Sequence, residues 1–311
     1  MHEPRAHLNG RWMPASRAAI MHFDAGFVLG ATVSEQLRTF AGQLFRLDEH
    51  LDRLFHSLEL VGVNPGRSQQ ELGSIASQLA SMNHGLLAEG DDLGLTIFVT
   101  PGPYATLAPP EAGGPVVGLH TYPLPFRIWS EKYSHGEHLV LTDVQQVPER
   151  CWPRHLKCRS RMHYFLADQR ARKIDPDSRA VLADEHGCLT ETASANLLVF
   201  RRGEGLVSPP LADILPGISR AVVLELAAGL GIGTAERPLG SEDVAGADEV
   251  LLTSTPSCIL PVTRFQGLPI GAGKPGEIYH QLLDAWGQAV GVDIAAQAIC
   301  HATRPTSVPA P

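Results

Sequence analysis

The sequence predicts a mixed α/β (α+β) protein of two domains: a small N-terminal α/β domain over residues 1–122 and a larger domain over 136–300, joined by an interdomain loop at 123–135. Three observations carry this expectation. The chain has 311 residues, 44% hydrophobic and 19% charged, a globular balance at a length that suits two cores. Strand-like runs alternate with helical ones on both sides of the middle. Between them the stretch Thr121 to Lys132 is rich in proline and aromatics, which suits an ordered linker better than a helix or a central strand.

The elements follow in order. Asn9-Gly10, between the short runs His7-Leu8 and Arg11-Trp12, marks an opening hairpin. After the glycine-marked stretch Asp24 to Gly30, a strand covers Val33 to Phe40 and a turn follows at Ala41-Gly42. Leu51, Leu54, Phe55 and Leu58 have helical spacing in the segment that begins at Leu47. Strands recur at Leu93 to Val99 and Pro115 to Tyr122. Beyond the linker, Leu139 to Val144 reads as a strand, Ser160 to Lys173 as a helix, and Ala180 to Ala183 with Leu197 to Phe200 as strands around a turn at Glu185-His186-Gly187. Ile218 to Gly229 is a helix ending in glycine, Glu249 to Thr253 a strand, and Glu277 to Val290 a last helix. Residues 301–311, where prolines stand among small residues, are expected to form a disordered tail.

Composition excludes several classes of function. A formal net charge of -8 argues against a general nucleic-acid or anionic-membrane binder, which needs a cationic field; the Arg150 to Arg161 cluster is a local exception. The N-terminus carries no apolar leader core, and the apolar stretch Ala221 to Gly233 contains Glu225 and is too short to span a bilayer, so a cytoplasmic protein is expected. The 5 cysteines form no C-x-x-C pair and read as reduced thiols, with neither a disulfide framework nor a zinc site. His135-Gly136-Glu137-His138 has no third ligand nearby, so no metal is expected. Gly229-Leu230-Gly231-Ile232-Gly233 follows a helix instead of opening one, which makes it a helix end and not a dinucleotide fingerprint.

Lys157 stands out because only Lys132, Lys173 and Lys274 accompany it in a chain that otherwise writes its positive charge as arginine. It lies among Arg154, Arg159 and Arg161, and a lysine, unlike an arginine, becomes an amine nucleophile when burial or neighbouring cations depress its pKa. Glu191 offers a carboxylate before an apolar strand. Leu215-Pro216-Gly217-Ile218-Ser219-Arg220 opens a strong helix, whose first N–H groups and Ser219 hydroxyl suit an anion. Thr255 delivers a hydroxyl at a strand end. An amine, a carboxylate and a phosphate-type site are the three handles needed to hold pyridoxal phosphate.

With these residues in place, the chain resembles over nearly its whole length the fold-type IV pyridoxal-phosphate family, which contains branched-chain and D-amino acid aminotransferases and aminodeoxychorismate lyase. The N-terminal markers are Leu8-Asn9-Gly10, Asp24 to Phe27 with Gly30, Glu35 and Arg38, and the run Phe45 to Leu54; the C-terminal ones are Lys157, Glu191 with Asn196, Leu215 to Arg220, and Ser254-Thr255 with Pro261-Val262. The resemblance implies a homodimer with pyridoxal 5'-phosphate in the larger domain, acting on small-molecule amino acid and keto acid substrates. It implies that Lys157 forms the Schiff base and moves the proton, that Glu191 partners the pyridine nitrogen, and that Arg53, Ile218, Ser219 and Thr255 hold the phosphate. Branched-chain members carry a tyrosine five residues after the lysine, where this chain has Met162; Tyr164, two residues further along a helix, is expected to point away from that slot. Other members place an arginine where this chain has Pro101, which leaves Arg161, Arg38 and Arg127 as candidates for the substrate carboxylate, Arg161 first. Glu35 stands where many aminotransferases have glutamate and the lyase often has threonine, which favours transamination. The alternatives are a lyase releasing pyruvate and 4-aminobenzoate and, more remotely, a noncatalytic anion-binding protein.

Overall fold

The computed structural model describes residues 3–109, 111 and 113–303. Asn9 and Gly10 both take positive φ, 47° and 82°, as a tight two-residue hairpin turn requires, and so β1 (Arg5–Leu8) folds back on β2 (Arg11–Pro14). A single turn, α1 (Ala25–Val28), capped by the Asp24 side chain, leads into β3 (Val33–Phe40), which turns at Ala41-Gly42 into β4 (Gln43–Leu44). The spacing of Leu51, Leu54 and Leu58 becomes the buried face of α2 (Leu47–Leu60). No helix was expected at α3 (Gln69–His84), although Ser68 and Glu71 form a capping box at its start, a signal written in the sequence. With β5 (Leu93–Thr100) and β6 (Val116–Pro123) the strands form an antiparallel sheet in the order β2-β1-β6-β5-β3-β4. One face of it packs Leu37, Leu95 and Ile97 against Leu54, Leu72 and Leu79 of the two long helices.

The expected linker is not plain. It holds two one-turn helices, α4 (Phe126–Trp129) and α5 (Lys132–His135), anchored by buried Phe126 and Tyr133. Pro125 stands at the start of α4, where the missing N–H does no harm because first-turn N–H groups have no helical partner.

The second sheet begins with β7 (Glu137–Leu141) and, after α6 (Met162–Ile174), continues through β8 (Ser178–Ala183), β9 (Leu189–Thr192), β10 (Asn196–Arg201) and β11 (Gly205–Ser208). Then come α7 (Ile218–Gly229), β12 (Thr234–Glu236), α8 (Ser241–Ala245), β13 (Glu249–Ser254), β14 (Cys258–Phe265) and the short β15 (Leu268–Pro269). The strand order is β12-β11-β10-β13-β14-β7-β8-β9, and a further pairing of β9 with β10, Asn196 opposite Glu191, closes six of the strands into a ring. Leu139, Val181, Leu197, Val250, Leu252 and Val262 pack together from five of those strands. Leu198, Leu251 and Ile259, their neighbours along the strands, face outward onto Val223 of α7 and Trp286 of α9 (Glu277–Val290).

Two expectations change here. The tail was expected from residue 301, but α10 (Ile294–Ala302), capped by Asp293, includes His301 and Ala302; residues 304–311 lie outside the described ones. Glu191, read as lying ahead of an apolar strand, instead lies within a strand of its own, β9, at the seam where the ring closes.

Candidate active site

Lys157 belongs to no helix or strand. Its loop is zipped onto the start of β3 and tied to α2: Ser34 N–H donates to the Lys157 carbonyl at 3.0 Å, Arg159 N–H donates to the Thr32 carbonyl at 2.8 Å, and the Lys157 N–H donates to Ser57 Oγ of α2 at 3.2 Å. These bonds hold the lysine between the two sheets. The amine shares a cavity of about 350 Å³ with Arg53, Glu191, Ile218, Ser219 and Thr255, so residues scattered over two hundred positions meet at one wall. Burial, and after it the charge of Arg53, lowers the Lys157 ammonium to about 8 against an opposing pull from Glu35. At that value about one lysine in ten is a free amine at pH 7, against fewer than about one in a thousand at the ordinary pKa.

Arg53 is placed by α2. Its Nε and Nη2 donate to the two oxygens of Glu35, each at 2.8 Å, and Nη1 donates to the Pro216 carbonyl at 2.7 Å. A guanidinium has five N–H donors, so two remain for the cavity. The bond to Pro216 ties α2 to the residue before the α7 N-cap, Gly217. A Cβ at Gly217 would collide with the Asn196 side-chain oxygen, so only glycine lets the helix start this close to the seam. α7 has no side-chain cap, leaving its first N–H groups, at Ile218 and Ser219, open at the cavity wall.

Glu191 is 8% exposed and surrounded by neutral donors. Tyr164 O–H donates to Oε1 at 2.7 Å, and Gln146 Nε2 reaches the same oxygen at 3.4 Å. Asn196 Nδ2 and the Leu215 N–H donate to Oε2 at 3.1 and 3.3 Å. Burial still pushes the carboxyl above its usual range.

The substrate candidates separate. Arg161, the N-cap of α6, lines the cavity with its guanidinium carbon 4.5 Å from the Tyr164 ring centre. Arg38 is 1% exposed and does not line the cavity: it donates to Thr39, Pro256, Cys258 and Gln297, so it braces the turn after β13 from behind. Arg127 is exposed on α4 and likewise does not line the cavity. Arg159 lines it, although nothing in its sequence position sets it apart from its arginine neighbours. Among the described residues neither Arg159 nor Arg161 has a side-chain hydrogen bond or an ion pair, so two guanidiniums line the cavity with no direct anionic partner.

Tyr164 lines the cavity with its hydroxyl on Glu191, a position that the helical rotation used to place it does not give. That rotation is counted from Lys157, but α6 starts at Met162 after an N-cap with φ -120° and ψ 20°, so the helical count does not run through that stretch. Gln146 carries no sequence signal at all.

The donor set fits pyridoxal phosphate. It has an amine of lowered basicity, a buried carboxylate, an uncapped helix start and two arginine N–H groups, and the buried Thr253 hydroxyl on the same wall lacks a hydrogen-bond partner among the described residues. No cluster of side chains that could hold a metal ion occurs among the described residues.

Residues 32–265 match the family described as amino-transferase class IV. The chain is 30% identical over 271 residues to a D-alanine aminotransferase of Bacillus licheniformis, covering 87% of this chain and 91% of that one. It is 27% identical over 290 residues to a D-alanine aminotransferase of Staphylococcus aureus, covering 90% and 95%. Its fold matches the Escherichia coli branched-chain amino acid aminotransferase with a TM-score of 0.84 at 23% identity, over 92% of this chain and 94% of that one. The T.th. branched-chain amino acid aminotransferase with pyridoxamine 5'-phosphate matches with a TM-score of 0.83 at 22% identity, over 93% and 95%. A noncatalytic anion-binding role therefore gives way, and the chain belongs to the class IV aminotransferases.

Proposed function

We propose that this aminotransferase uses pyridoxal 5'-phosphate to exchange an amino group between a small amino acid and a 2-keto acid. The observation that carries the reading is the convergence of the Lys157 amine, the Glu191 carboxylate and the open start of α7 on one cavity. When bound, pyridoxal phosphate supplies an aldehyde for amine exchange and a ring that accepts negative charge. Lys157 Nζ would hold the aldehyde, then take the substrate α-proton and return it. Glu191 would face the ring nitrogen. Arg53, the N–H groups of Ile218 and Ser219, and the Ser219 and Thr255 hydroxyls would hold the phosphate. Arg161, joined by Arg159, is the side chain that would grip the substrate carboxylate. Tyr164 has a single hydroxyl proton, already given to Glu191, so it is not the donor to the cofactor's phenolic oxygen.

The relatives named as D-alanine aminotransferases make D-alanine the first donor to test. Glu35, buried beside Arg53, favours transamination over the lyase reading. Residues 1–122 and 136–300 serve as the two domains, each with one sheet as its core. Exposed Phe27, Met162 and Phe165, at 75%, 69% and 59% exposure, offer apolar surface that a second copy would cover in a homodimer. No helix among the described residues is long and apolar enough to cross a membrane, in keeping with a cytoplasmic enzyme.

The test is spectroscopic and chemical. Purified protein given pyridoxal phosphate should gain a visible absorption band that borohydride abolishes and that Lys157→Ala lacks, with activity in that variant down by several orders of magnitude. D-Alanine should convert the bound aldehyde to its amine form. A colourless wild type sinks the reading, and pyruvate release from aminodeoxychorismate without the amine form replaces it with the lyase.

A further inference from the structure

Glu191 has a task that burial opposes. A carboxyl in an apolar surround prefers to be neutral, yet an anion is what a protonated ring nitrogen needs. The question is which groups keep it ionised and aimed. Asn196, opposite Glu191 at the seam of the strand ring, and the Leu215 N–H, in the loop before α7, hold Oε2, so both follow from the fold. Oε1 is held differently. It receives the Tyr164 hydroxyl at 2.7 Å, the shortest of the four contacts, from a helix outside the ring.

The phenol is itself directed. Gln146 N–H donates to the Ala183 carbonyl at 2.8 Å, and Gln146 Oε1 accepts the Val147 N–H at 3.0 Å. With its oxygen taken by a backbone donor, the amide must turn Nε2 inward, where it donates to Tyr164 Oη at 2.7 Å. A phenol oxygen that accepts from Gln146 turns its own proton the other way, onto Glu191, and each bond polarises the next. The chain therefore runs amide to phenol to carboxylate in one direction. α6 holds the ring in place through Ala167 and Ala171, which pack with Tyr164 against Ala180 and Leu182 of β8. The charged groups that act on Glu191 are Arg161 and Lys157, both cations, and neither appears among its hydrogen-bond donors. In the absence of a direct ion pair, the phenol is the strongest single donor keeping the proton off the carboxylate.

We propose that Tyr164, oriented by Gln146, is the positioning residue that keeps Glu191 ionised and aimed at the cofactor's ring nitrogen. This rests on the cofactor reading above. Removal of the phenol proton donor takes away one charge-assisted hydrogen bond and leaves Glu191 to protonate at higher pH. The anionic partner is then lost as pH falls through that higher value. The phenol remains a donor throughout, because burial and the neighbouring Glu191 push Tyr164 well above the usual phenol range.

The experiment measures binding to the apoprotein, so it does not depend on turnover. Pyridoxal phosphate and its carbocyclic analogue, in which C–H replaces the ring nitrogen, are titrated into wild type, Tyr164→Phe and Gln146→Leu between pH 5.5 and 8.5. Wild type should prefer the natural cofactor, with the preference fading below an acidic edge. In Tyr164→Phe that edge should move up by about one pH unit, which is a loss of about fivefold in the preference at the midpoint of the wild-type edge, while binding of the analogue hardly changes. Gln146→Leu, which keeps the phenol but not its orientation, should move the edge the same way by less. Equal weakening of both ligands, or an unmoved edge in the folded variants, overturns the proposal; if Tyr164→Phe does not fold, Gln146→Leu alone decides. A wild type indifferent to the ring nitrogen overturns the cofactor reading and this proposal with it.

Discussion

Glu35 and Glu191 are buried carboxylates on the two different sheets, and they are held in opposite ways. Burial would push both up. On β3, Glu35 is gripped by both forks of Arg53 and by His50 Nδ1 at 2.8 Å, and these cations and donors overcome burial to hold it well below the usual carboxylate range. On β9, Glu191 meets only uncharged donors within hydrogen-bond distance, and burial wins. Burial raises both carboxyls, and the charge of the bonded partner decides whether that rise is overcome. Glu35 is electrostatically complete. Glu191 still lacks a cation within hydrogen-bond distance, which is the condition of a group waiting for a ligand.

The largest effect that tests this contrast is on stability. Glu35→Gln leaves the Arg53 guanidinium buried without its anion and should cost about 3–5 kcal/mol in urea unfolding of the apoprotein, the scale for breaking a buried pair. Glu191→Gln should cost only about 1–2 kcal/mol, because no charge is stranded, yet reduce transamination on the order of a hundredfold. Equal stability losses would break the comparison.

The pH dependence carries the same contrast with opposite signs. The folded-state pKa of Glu35 is depressed, so its contribution is present above the unfolded carboxylate value near 4.5 and is lost as pH falls through the lower folded value. That of Glu191 is raised, so the apoprotein gives up stability as pH rises from near 4.5 through the higher folded value. Unfolding curves from pH 3 to 8 should show the acid loss weakened in Glu35→Gln and the loss on raising pH weakened in Glu191→Gln.

The smallest effect lies on Lys157. Among the groups that act most strongly on the amine, Glu35 alone raises its pKa, opposing burial and three arginines. Glu35→Gln should therefore drop the amine further below about 8, by less than about one unit, read from the pH dependence of amine acylation in the apoprotein. An upward shift would mean that Glu35 does not act on the amine.

Much of this was legible in the chain. The Asn9-Gly10 hairpin, the strand Val33 to Phe40, and the helices Ile218 to Gly229 and Glu277 to Val290 appear as expected because turn chemistry and apolar period are local properties. α3 was missed, although its Ser68–Glu71 capping box was in plain view, and β9 was missed because a four-residue strand buried on both faces has no alternation to read. At the cavity, the residues of the expected cofactor set lie together, while Arg38 and Arg127 lie elsewhere. An arginine's destination cannot be read from its charge: Arg38 faces Pro256 and Gln297 only because β3 and α10 meet there.

The sequence by itself determined which chemistries are present: one lysine amine set among arginines, a carboxylate ahead of an apolar strand, an uncapped glycine-led helix and a histidine–arginine pair, His50 and Arg53, one turn apart on α2. Those depend on residue type and short spacing, which the chain carries on its face. Only the tertiary structure decided which of them are charged and where they point. Ionisation depends on the distance to partners brought from other elements and on the water excluded between them, and Tyr164 reaches Glu191 across 27 residues of sequence because α6 packs on β8.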